Sequence, residues 1–406
     1  MEWVLNQSLW LDEAIVANVV KNLSVVEMIS KYSPTDFHPP LYYVLMKLWT
    51  AIFGFSEISL RAPSIVMALI AAYFVYKIAR NRWAMALFLT NPLIVYYAGE
   101  ARMYMMATCL LIGSYYFLTT RKIGRFNLLV FLACLTFYGS FLFVLTILIY
   151  LLIKRKLGWQ HLVGVGAAMI ILAPLIRLQL LHAQEARLLI PNWGSVLGKV
   201  NLKNLLLIPI KFTSGRISFY PKIAYYLISG LWAGWILAVF RKRPIYLYFF
   251  GMPLILGIII SVWAPMLAYF RFIYLVPILC LALAESRWRG VVLAGFVVFS
   301  SVYVFNQQFW REDWKTALRD LDAKKIVMIE SLADPVKYYR PDKEVVDIRN
   351  PAEFEQNLTV IPYGEAIHGI DHRGLLTEQG YVLTKQKNYR EIVVERWTKS
   401  EESQNQ

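Results

Sequence analysis

The 406-residue chain is 58% hydrophobic and only 17% charged. A water-soluble domain of that length cannot keep so much apolar surface out of solvent, which excludes an ordinary globular enzyme and leaves the bilayer as the main solvent. The formal charge of +15 is uneven: residues 306–406 carry 15 basic and 18 acidic side chains, leaving 27 basic against 9 acidic in residues 1–305. Basic side chains gathered between apolar runs read as short cytoplasmic loops of a polytopic membrane protein, not as a nucleic-acid footprint.

From the N-terminus, residues 12–32 predict an amphipathic helix with Asp12 and Glu13 near its start. Residues 39–54 predict a second, apolar helix, opened by Pro39-Pro40 and closed by Phe53-Gly54-Phe55. Ten apolar runs follow, near 61–78, 84–98, 103–118, 127–137, 140–153, 160–177, 223–240, 245–262, 270–285 and 290–305. Several are shorter than the roughly 20 residues a straight span prefers. Cys109, Cys134 and Cys280 lie inside these runs, which predicts packing residues and no disulfide framework.

Basic clusters punctuate the runs: Lys77/Arg80/Arg82, Arg121/Lys122/Arg125, Lys154/Arg155/Lys156, Arg241/Lys242/Arg243 and Arg287/Arg289. If each is cytoplasmic, the outward set is 1–60, Gly99–Arg102, Tyr138–Ser140, 178–222, Ala264–Arg271 and everything after 305. All five clusters agree on that orientation. Segment 41–54 cannot span without inverting everything downstream, so it is expected to lie in the outer interface. The expected fold is a polytopic α-helical membrane protein of about 10 transmembrane helices. Residues 1–60 form an outward first loop with interfacial helices, 61–305 the bundle, and 306–406 an extracytoplasmic α/β domain.

Of the nine acids before residue 306, eight lie on the outward side (Glu2, Asp12, Glu13, Glu27, Asp36, Glu57, Glu100, Glu185) and only Glu285 lies inward. Ionisable groups at a membrane rim are functional hypotheses by default; the plainer reading is outer-loop solubility. The tail predicts strands at Ile326–Glu330, Val345–Ile348, Leu358–Pro362, Tyr381–Thr384 and Ile392–Trp397, with helical stretches at 311–323 and 333–339. It contains neither a G-x-G-x-x-G nor a P-loop. His368 and His372 flank Asp371 with metal-like spacing, but a turn of solvated polar residues is the expected reading.

Trp10-Leu-Asp12-Glu13 followed by Asp36-Phe-His38-Pro39-Pro40-Leu-Tyr-Tyr resembles the bacterial branch of the protein O-mannosyltransferase superfamily. These are GT-C glycosyltransferases to which lipid A aminoarabinose transferase is related. Further resemblance lies in Phe53-Gly-Phe-Ser-Glu57-Ile-Ser-Leu-Arg61, in Asn91-Pro92 through Tyr96-Tyr97-Ala-Gly-Glu100-Ala-Arg102-Met-Tyr104, in Tyr269-Phe-Arg271-Phe-Ile-Tyr, and in residues 309–321. It covers about residues 8–140 well and 260–340 loosely. The sequence departs from the family in three places. Met1 stands eleven residues ahead of Asp12, so the helix that precedes the Asp-Glu loop in relatives is expected either to lie upstream of this Met1 or to be missing from a truncated form; adding it would make eleven. Gly99 replaces a polar residue, and Phe137-Tyr138-Gly139 lacks a histidine found in relatives.

The resemblance implies transfer of a sugar from a polyprenyl phosphate to a hydroxyl, with inversion at the anomeric centre. The acceptor hydroxyl must lose its proton as it attacks, and Asp12 is the expected base, with Glu13 orienting the acceptor or Asp12. The leaving lipid phosphate needs preorganised cations. Arg102 and Arg271 suit it, with lipid-headgroup anchoring the plainer role for Arg271. His38 stands where relatives often carry a lysine, and an imidazole's charge depends on pH; helix capping is its plainer role. Tyr42, Tyr104, Glu100 and Arg61 are expected to shape the site, Arg61 alternatively holding the interfacial helix to the bundle. Glu100 is a single acid, whereas relatives that glycosylate asparagine place a carboxylate pair there to hold a metal, so a divalent cation is not the expected cofactor. Loop 178–222 carries Arg187, Lys199, Lys203, Lys211, Arg216 and Lys222, either as a basic lid over the phosphate or as side chains exempt from the positive-inside bias. The implied partners are a polyprenyl-phosphate-linked sugar, membrane lipid and an acceptor that is protein, lipid or glycan. A lipid-linked-sugar flippase or transporter would instead place paired charges near the midplane and show inverted repeats. An O-antigen ligase or polymerase would concentrate arginines in a large late loop. A catalytically inactive homologue is the third alternative.

Overall fold

The computed structural model describes residues 3–190, 192, 197–240 and 244–400, with backbone alone at 186–189. The Arg241/Lys242/Arg243 cluster and the Arg187 side chain lie outside the described residues. The chain divides into two compact units. One gathers the N-terminal segment through Asn22, the stretch after Ala183 and the chain from Trp310 onward; the other holds Leu23–Ala183 and Leu197–Phe309.

The helical unit begins with α2 (Leu41–Phe53), α3 (Glu57–Ala79), α4 (Arg82–Thr90), α5 (Pro92–Ala98) and α6 (Tyr104–Thr119), where α1 is reserved for Leu11–Asn22 of the other unit. It continues through α7 (Ile123–Thr136), α8 (Ser140–Ile153), α9 (Val163–Leu189), α10 (Leu202–Ser214), α11 (Lys222–Phe240) and α12 (Pro244–Ser261). A 3₁₀ stretch Tyr269–Leu275 leads into α13 (Val276–Ala284), and α14 (Arg289–Phe305) closes the unit. Among the described residues, Glu57–Ala79, Val163–Glu185, Lys222–Phe240 and Pro244–Ser261 are long and apolar enough to cross a bilayer, and six further apolar helices are shorter. Outward-pointing Leu69, Ile70, Ile170, Ile171, Leu227, Leu231 and Ile255 are exposed along these helices. Such continuous apolar surface is stable only against lipid, and the chain is a multi-pass membrane protein. Inward, small residues let helices approach: a side chain at Gly113 would meet Phe74 and Leu129 at 2.8 Å.

Two expected helices are broken, each by a capping side chain. The run at 84–98 is split because Asn91 Oδ1 accepts from the backbone N–H groups of Leu93 and Ile94 at 3.0 and 3.2 Å, and Pro92 supplies the first turn. Asn91 also donates to the Phe212 carbonyl at 2.8 Å. The helix expected over 12–32 stops at Asn22. Ser24 then starts a new turn through a capping box with Glu27, followed by a π-turn at Met28–Tyr32. Segment α2 follows its expected bounds, ending at Gly54 with φ of 74°. Trp49 Nε1 donates to the Ser59 carbonyl at 2.9 Å and ties α2 to α3.

In the other unit, β1 (Lys325–Met328), β2 (Glu344–Asp347), β3 (Asn357–Val360), β4 (Tyr381–Tyr389) and β5 (Ile392–Lys399) form one sheet in the order β2-β1-β3-β5-β4. β1 is parallel to β2 and β3, whereas β5 is antiparallel to β3 and β4. Side chains alternate across the sheet. Ile326 and Met328 pack with Trp314, Leu318, Val336 and Val394; Val327 and Ile329 pack with Leu358, Leu376 and Trp397 on the opposite face. Both faces are covered, so the run Ile326–Ile329, from β1 and the residue after it, reads as unbroken apolar sequence. Short helices α15 (Trp314–Arg319), α16 (Asp334–Tyr339), α17 (Glu365–His368) and α18 (His372–Glu378) flank the sheet. The expectation of solvated polar residues around His368 and His372 is corrected at His372. That ring is buried, with Nδ1 2.7 Å from Glu365 and Nε2 2.8 Å from the fully buried Glu395. Two carboxylates draw a ring able to donate from both nitrogens, a contact that spacing along the chain does not reveal.

Asn91→Ala removes a helix cap and unpairs the buried Phe212 carbonyl. It is expected to destabilise the protein by about 1–3 kcal/mol, read as a lowered midpoint in detergent melting, while Asn91→Asp keeps the cap and loses less.

Candidate functional site

In the helical unit the polar cluster centres on Asp36, in the loop before α2. His38 Nδ1 lies 3.1 Å from Asp36 Oδ1, and the Tyr43 hydroxyl donates to Oδ2 at 2.8 Å. The Asp36 side chain is 14% exposed and that of His38 22%. Burial alone would raise the Asp36 pKa; the His38 ring, the Arg102 charge and the Tyr43 hydroxyl outweigh it and hold the carboxyl below its usual range. Loop 33–38 is pinned by Gln179 of α9, whose amide donates to the carbonyls of Ser33 and Asp36 at 2.7 and 2.5 Å while its oxygen accepts from Tyr138 at 2.6 Å.

Glu100 and Arg102 sit in the loop joining α5 to α6, both buried. Ser64 Oγ of α3 donates to the Glu100 carbonyl at 2.6 Å and fixes that loop. Arg61, on the preceding turn of α3, is 1% exposed. Tyr104 opens α6 and packs edge-on against Tyr97, Phe137 and Phe270 with centroids 5.4–5.8 Å away. Arg271 is half-buried over the Phe270 ring at 5.9 Å and is electrostatically coupled to Tyr104. Tyr42, 4% exposed, lies edge-on to Tyr43. The unit thus joins His38 to Arg102 through Asp36, and Tyr104 to Arg271. Asp36 is the residue that sequence reasoning left without a role; its signal was an acid two residues before His38 in the same motif.

Segment 178–222, expected as a loop, instead carries the end of α9 and all of α10, and three of its six basic residues gather. Arg216 donates to the Tyr96 hydroxyl at 2.7 Å with its guanidinium 4.9 Å from that ring. Lys211 donates to Tyr225 at 2.9 Å and contacts the Ile217 carbonyl at 3.5 Å, and Lys222 donates to Ser218 at 3.1 Å. Burial, then the charges of Arg216 and Lys222, push the Lys211 pKa down to about 7. Lys199 and Lys203 are exposed.

Asp12 and Glu13 belong to the other unit, in the first turn of α1, where acids favour the helix dipole. Glu13 is 1% exposed. The start of α1 is stitched to the chain beyond Trp310. Gln7 accepts from the Arg311 N–H at 3.0 Å, Ser8 Oγ accepts from the Lys315 N–H at 2.9 Å, and the Arg311 guanidinium lies 3.7 Å from the Trp10 ring centre. Asn18 donates to Asp334 Oδ1 at 2.8 Å farther along. Tyr363 donates to Glu312 Oε1 at 3.1 Å, and Asp12 and Glu312 both raise the Tyr363 pKa, after burial, through their charge. Among the described residues, no three His, Cys, Asp or Glu converge as a metal site.

A polytopic helical bundle and a small mixed sheet define the fold of a multi-pass membrane protein, and solved structures share that fold. Residues 37–177 match the dolichyl-phosphate-mannose-protein mannosyltransferase family model. ArnT from Cupriavidus metallidurans in the apo state is similar with a TM-score of 0.54 and 13% identity, over 97% of this chain and 95% of that chain. The same protein bound to undecaprenyl phosphate gives 0.50 and 14% over the same shares. No curated protein matches the sequence. The chain thus shares the fold of ArnT, and within it residues 37–177 match the mannosyltransferase family model.

Arg216→Gln removes a positive neighbour and is expected to raise the Lys211 pKa from about 7. The check is an NMR titration of ¹³C-methylated lysines, with the Lys211 signal assigned by Lys211→Met.

Proposed function

We propose that the protein is an inverting glycosyltransferase that moves a sugar from a polyprenyl-phosphate donor to a hydroxyl acceptor on the outer face of the membrane. The observation that carries this reading is the Asp36-centred cluster that sets His38 and Arg102 together inside the segment matched by the mannosyltransferase family model. ArnT, whose fold the chain shares, has been solved with undecaprenyl phosphate bound. That supports a lipid-phosphate donor here.

The chemistry asks for two things. As the acceptor oxygen bonds to the anomeric carbon, its proton must leave; Asp12, at the N-terminus of α1, is the base that takes it. As the bond from that carbon to the phosphate oxygen breaks, the electron pair and a growing negative charge pass to the lipid phosphate. Arg102 and Arg271 can bind phosphate oxygens in a fork, with His38 adding a donor. Tyr42, Tyr104, Glu100 and Arg61 shape that environment, and Glu13 supports Asp12. The basic side chains Lys211, Arg216 and Lys222 supply further positive potential as a lid. The acceptor is a protein, lipid or glycan hydroxyl. The outward orientation follows from the basic clusters and puts the sheet-containing unit outside the membrane.

Purified protein supplied with radiolabelled polyprenyl-phosphate sugars and an envelope fraction is expected to transfer label. Asp12→Asn should lower kcat by about 10²–10⁴-fold, and Arg102→Gln should lower kcat/KM by roughly 10²–10³-fold. Absence of turnover with every donor, in folded protein that still binds polyprenyl phosphate, would sink the transferase reading in favour of a flippase or an inactive homologue.

A further inference from the structure

The His38 ring ends a chain of hydrogen bonds that decides which of its nitrogens carries a proton. Asp36 Oδ1 lies 3.1 Å from Nδ1, and Oδ2 accepts from the Tyr43 hydroxyl at 2.8 Å. A phenol has one proton. With that of Tyr43 committed to Asp36, Tyr32 is the donor in the 3.3 Å contact between the Tyr32 and Tyr43 hydroxyls. The chain Tyr32–Tyr43–Asp36 therefore arrives at a carboxylate that only accepts, and the ring nitrogen beside it must donate. The backbone is held as well. The Gln179 amide donates to the carbonyls of Ser33 and Asp36 and lies 3.3 Å from that of His38, while its oxygen accepts from Tyr138. Nε2 of His38 is left without a hydrogen-bond partner among the described residues, on a side chain that is 22% exposed.

We propose that Asp36 is a positioning residue that keeps a proton on Nδ1 of His38, so that Nε2 takes up one proton when a phosphate monoester binds. The inference rests on the lipid-phosphate reading of this site and names how the site is switched. In the neutral ring Nε2 carries a lone pair, which a phosphate oxygen avoids. In the imidazolium it donates a charge-assisted hydrogen bond. Binding of the anion therefore draws a proton from solvent onto Nε2, and no other bond is made or broken. The sugar donor is a phosphate diester with one charge, whereas the departing monoester carries up to two. A ring charged at Nε2 thus favours the state in which charge grows on the phosphate. A lysine in the same place would stay charged throughout and take up no proton.

The other titratable or charged groups of the cluster are Asp36, Tyr32 and Tyr43, with Tyr138 behind Gln179 and the charge of Arg102 acting on Asp36. Phenols ordinarily titrate at about 10 and guanidinium above about 12. The Asp36 carboxyl is held below its usual range by partners that outweigh its burial. An imidazole is the one group of this set suited to change charge between about pH 5 and 8.

Two measurements on purified full-length protein in detergent test this. The first is ¹⁵N-histidine NMR; the chain has five histidines, and the His38 signals are assigned by their loss in His38→Lys. The neutral ring of the wild type is expected to carry its proton on Nδ1. Asp36→Asn removes the charge that favours the imidazolium, so the ring should lose its proton at lower pH and no longer prefer Nδ1–H. The second is calorimetry of polyprenyl phosphate binding over about pH 5–8, in buffers of different ionisation enthalpy, which counts protons taken up. Above the titration of the ring, wild type should take up about one proton more than His38→Lys, and its affinity should fall as pH rises by up to roughly tenfold per pH unit. The profile of His38→Lys should be correspondingly flatter.

A wild-type neutral ring with its proton on Nε2 overturns the proposal, as does equal proton uptake in wild type and His38→Lys. So does an Asp36→Asn with a lower melting midpoint but an unmoved ring titration, because a purely structural carboxylate gives that result. If Asp36→Asn does not fold, the wild-type tautomer and the comparison with His38→Lys decide. Polyprenyl phosphate that fails to bind wild type at every pH removes the lipid-phosphate reading itself. Binding that is tight but takes up the same number of protons in both proteins removes only this proposal.

Discussion

Taking a charge out of water costs several kcal/mol unless other groups replace its hydration, and in a chain this apolar that constraint decides where every ionisable side chain can stand. Asp36 shows the solution. Its carboxylate is held by His38, Tyr43 and the field of Arg102, and the loop that carries it is fastened through Gln179 to α9 and Tyr138. Each partner is placed by a different element, so the cluster exists only when the loop before α2, the α5–α6 loop and α9 have assembled. The polar network is thereby also a fold-specifying device: an alternative packing would leave a buried carboxylate or guanidinium unpaired. The broken run at Asn91-Pro92 serves the same end, since it ends one helix and restarts another just ahead of the Glu100–Arg102 loop.

The other unit obeys the same constraint in a different solvent. Its acids are mostly exposed, as is Asp342 beside Arg340, where water does most of the work and the pair contributes little. The exceptions are Glu13, Glu312 and Glu395, each buried. Glu395 is satisfied by His372, Arg373 and the Trp397 ring nitrogen and knits β5 to α18. Glu13 and Glu312 lie on the segments 5–15 and 310–315 that stitch the start of α1 to the tail. Residues some 300 positions apart in sequence therefore set the surroundings of one α1 turn.

Much of this was legible from periodicity and punctuation. Five strands and α16 fall within a few residues of their expected places, because alternating apolar residues and turn chemistry are local signals. Pro39-Pro40 and Gly54 bounded α2 for the same reason. What could not be read is long-range. The Ser24/Glu27 capping box that starts a separate turn is, by contrast, a local signal that the periodicity of 12–32 ran through. No spacing joins His372 to Glu365 and Glu395 at once, or Tyr363 to Glu312. Among the site residues, the resemblance singled out His38 and Arg102. The acid between them, Asp36, acquires meaning only from the Arg102 charge and the Tyr43 hydroxyl, contributed from α2 and the α5–α6 loop.

The aromatic setting of the cations follows from what an anion site must avoid. A carboxylate partner would hold an arginine in place but would cancel the charge that a phosphate needs. An aromatic face holds a cation through its quadrupole and leaves that charge in force. Lys211 over Tyr225 and Arg271 over Phe270 are arranged this way, at 5.3 and 5.9 Å. The rings also exclude water, and a lower local dielectric strengthens whatever attraction the cations exert. Lys211 carries the consequence in its own ionisation: crowded by Arg216 and Lys222 and removed from solvent, it titrates near neutrality. An anion placed among these three would relieve the repulsion and restore the lysine's proton, so its binding is linked to proton uptake at this side chain.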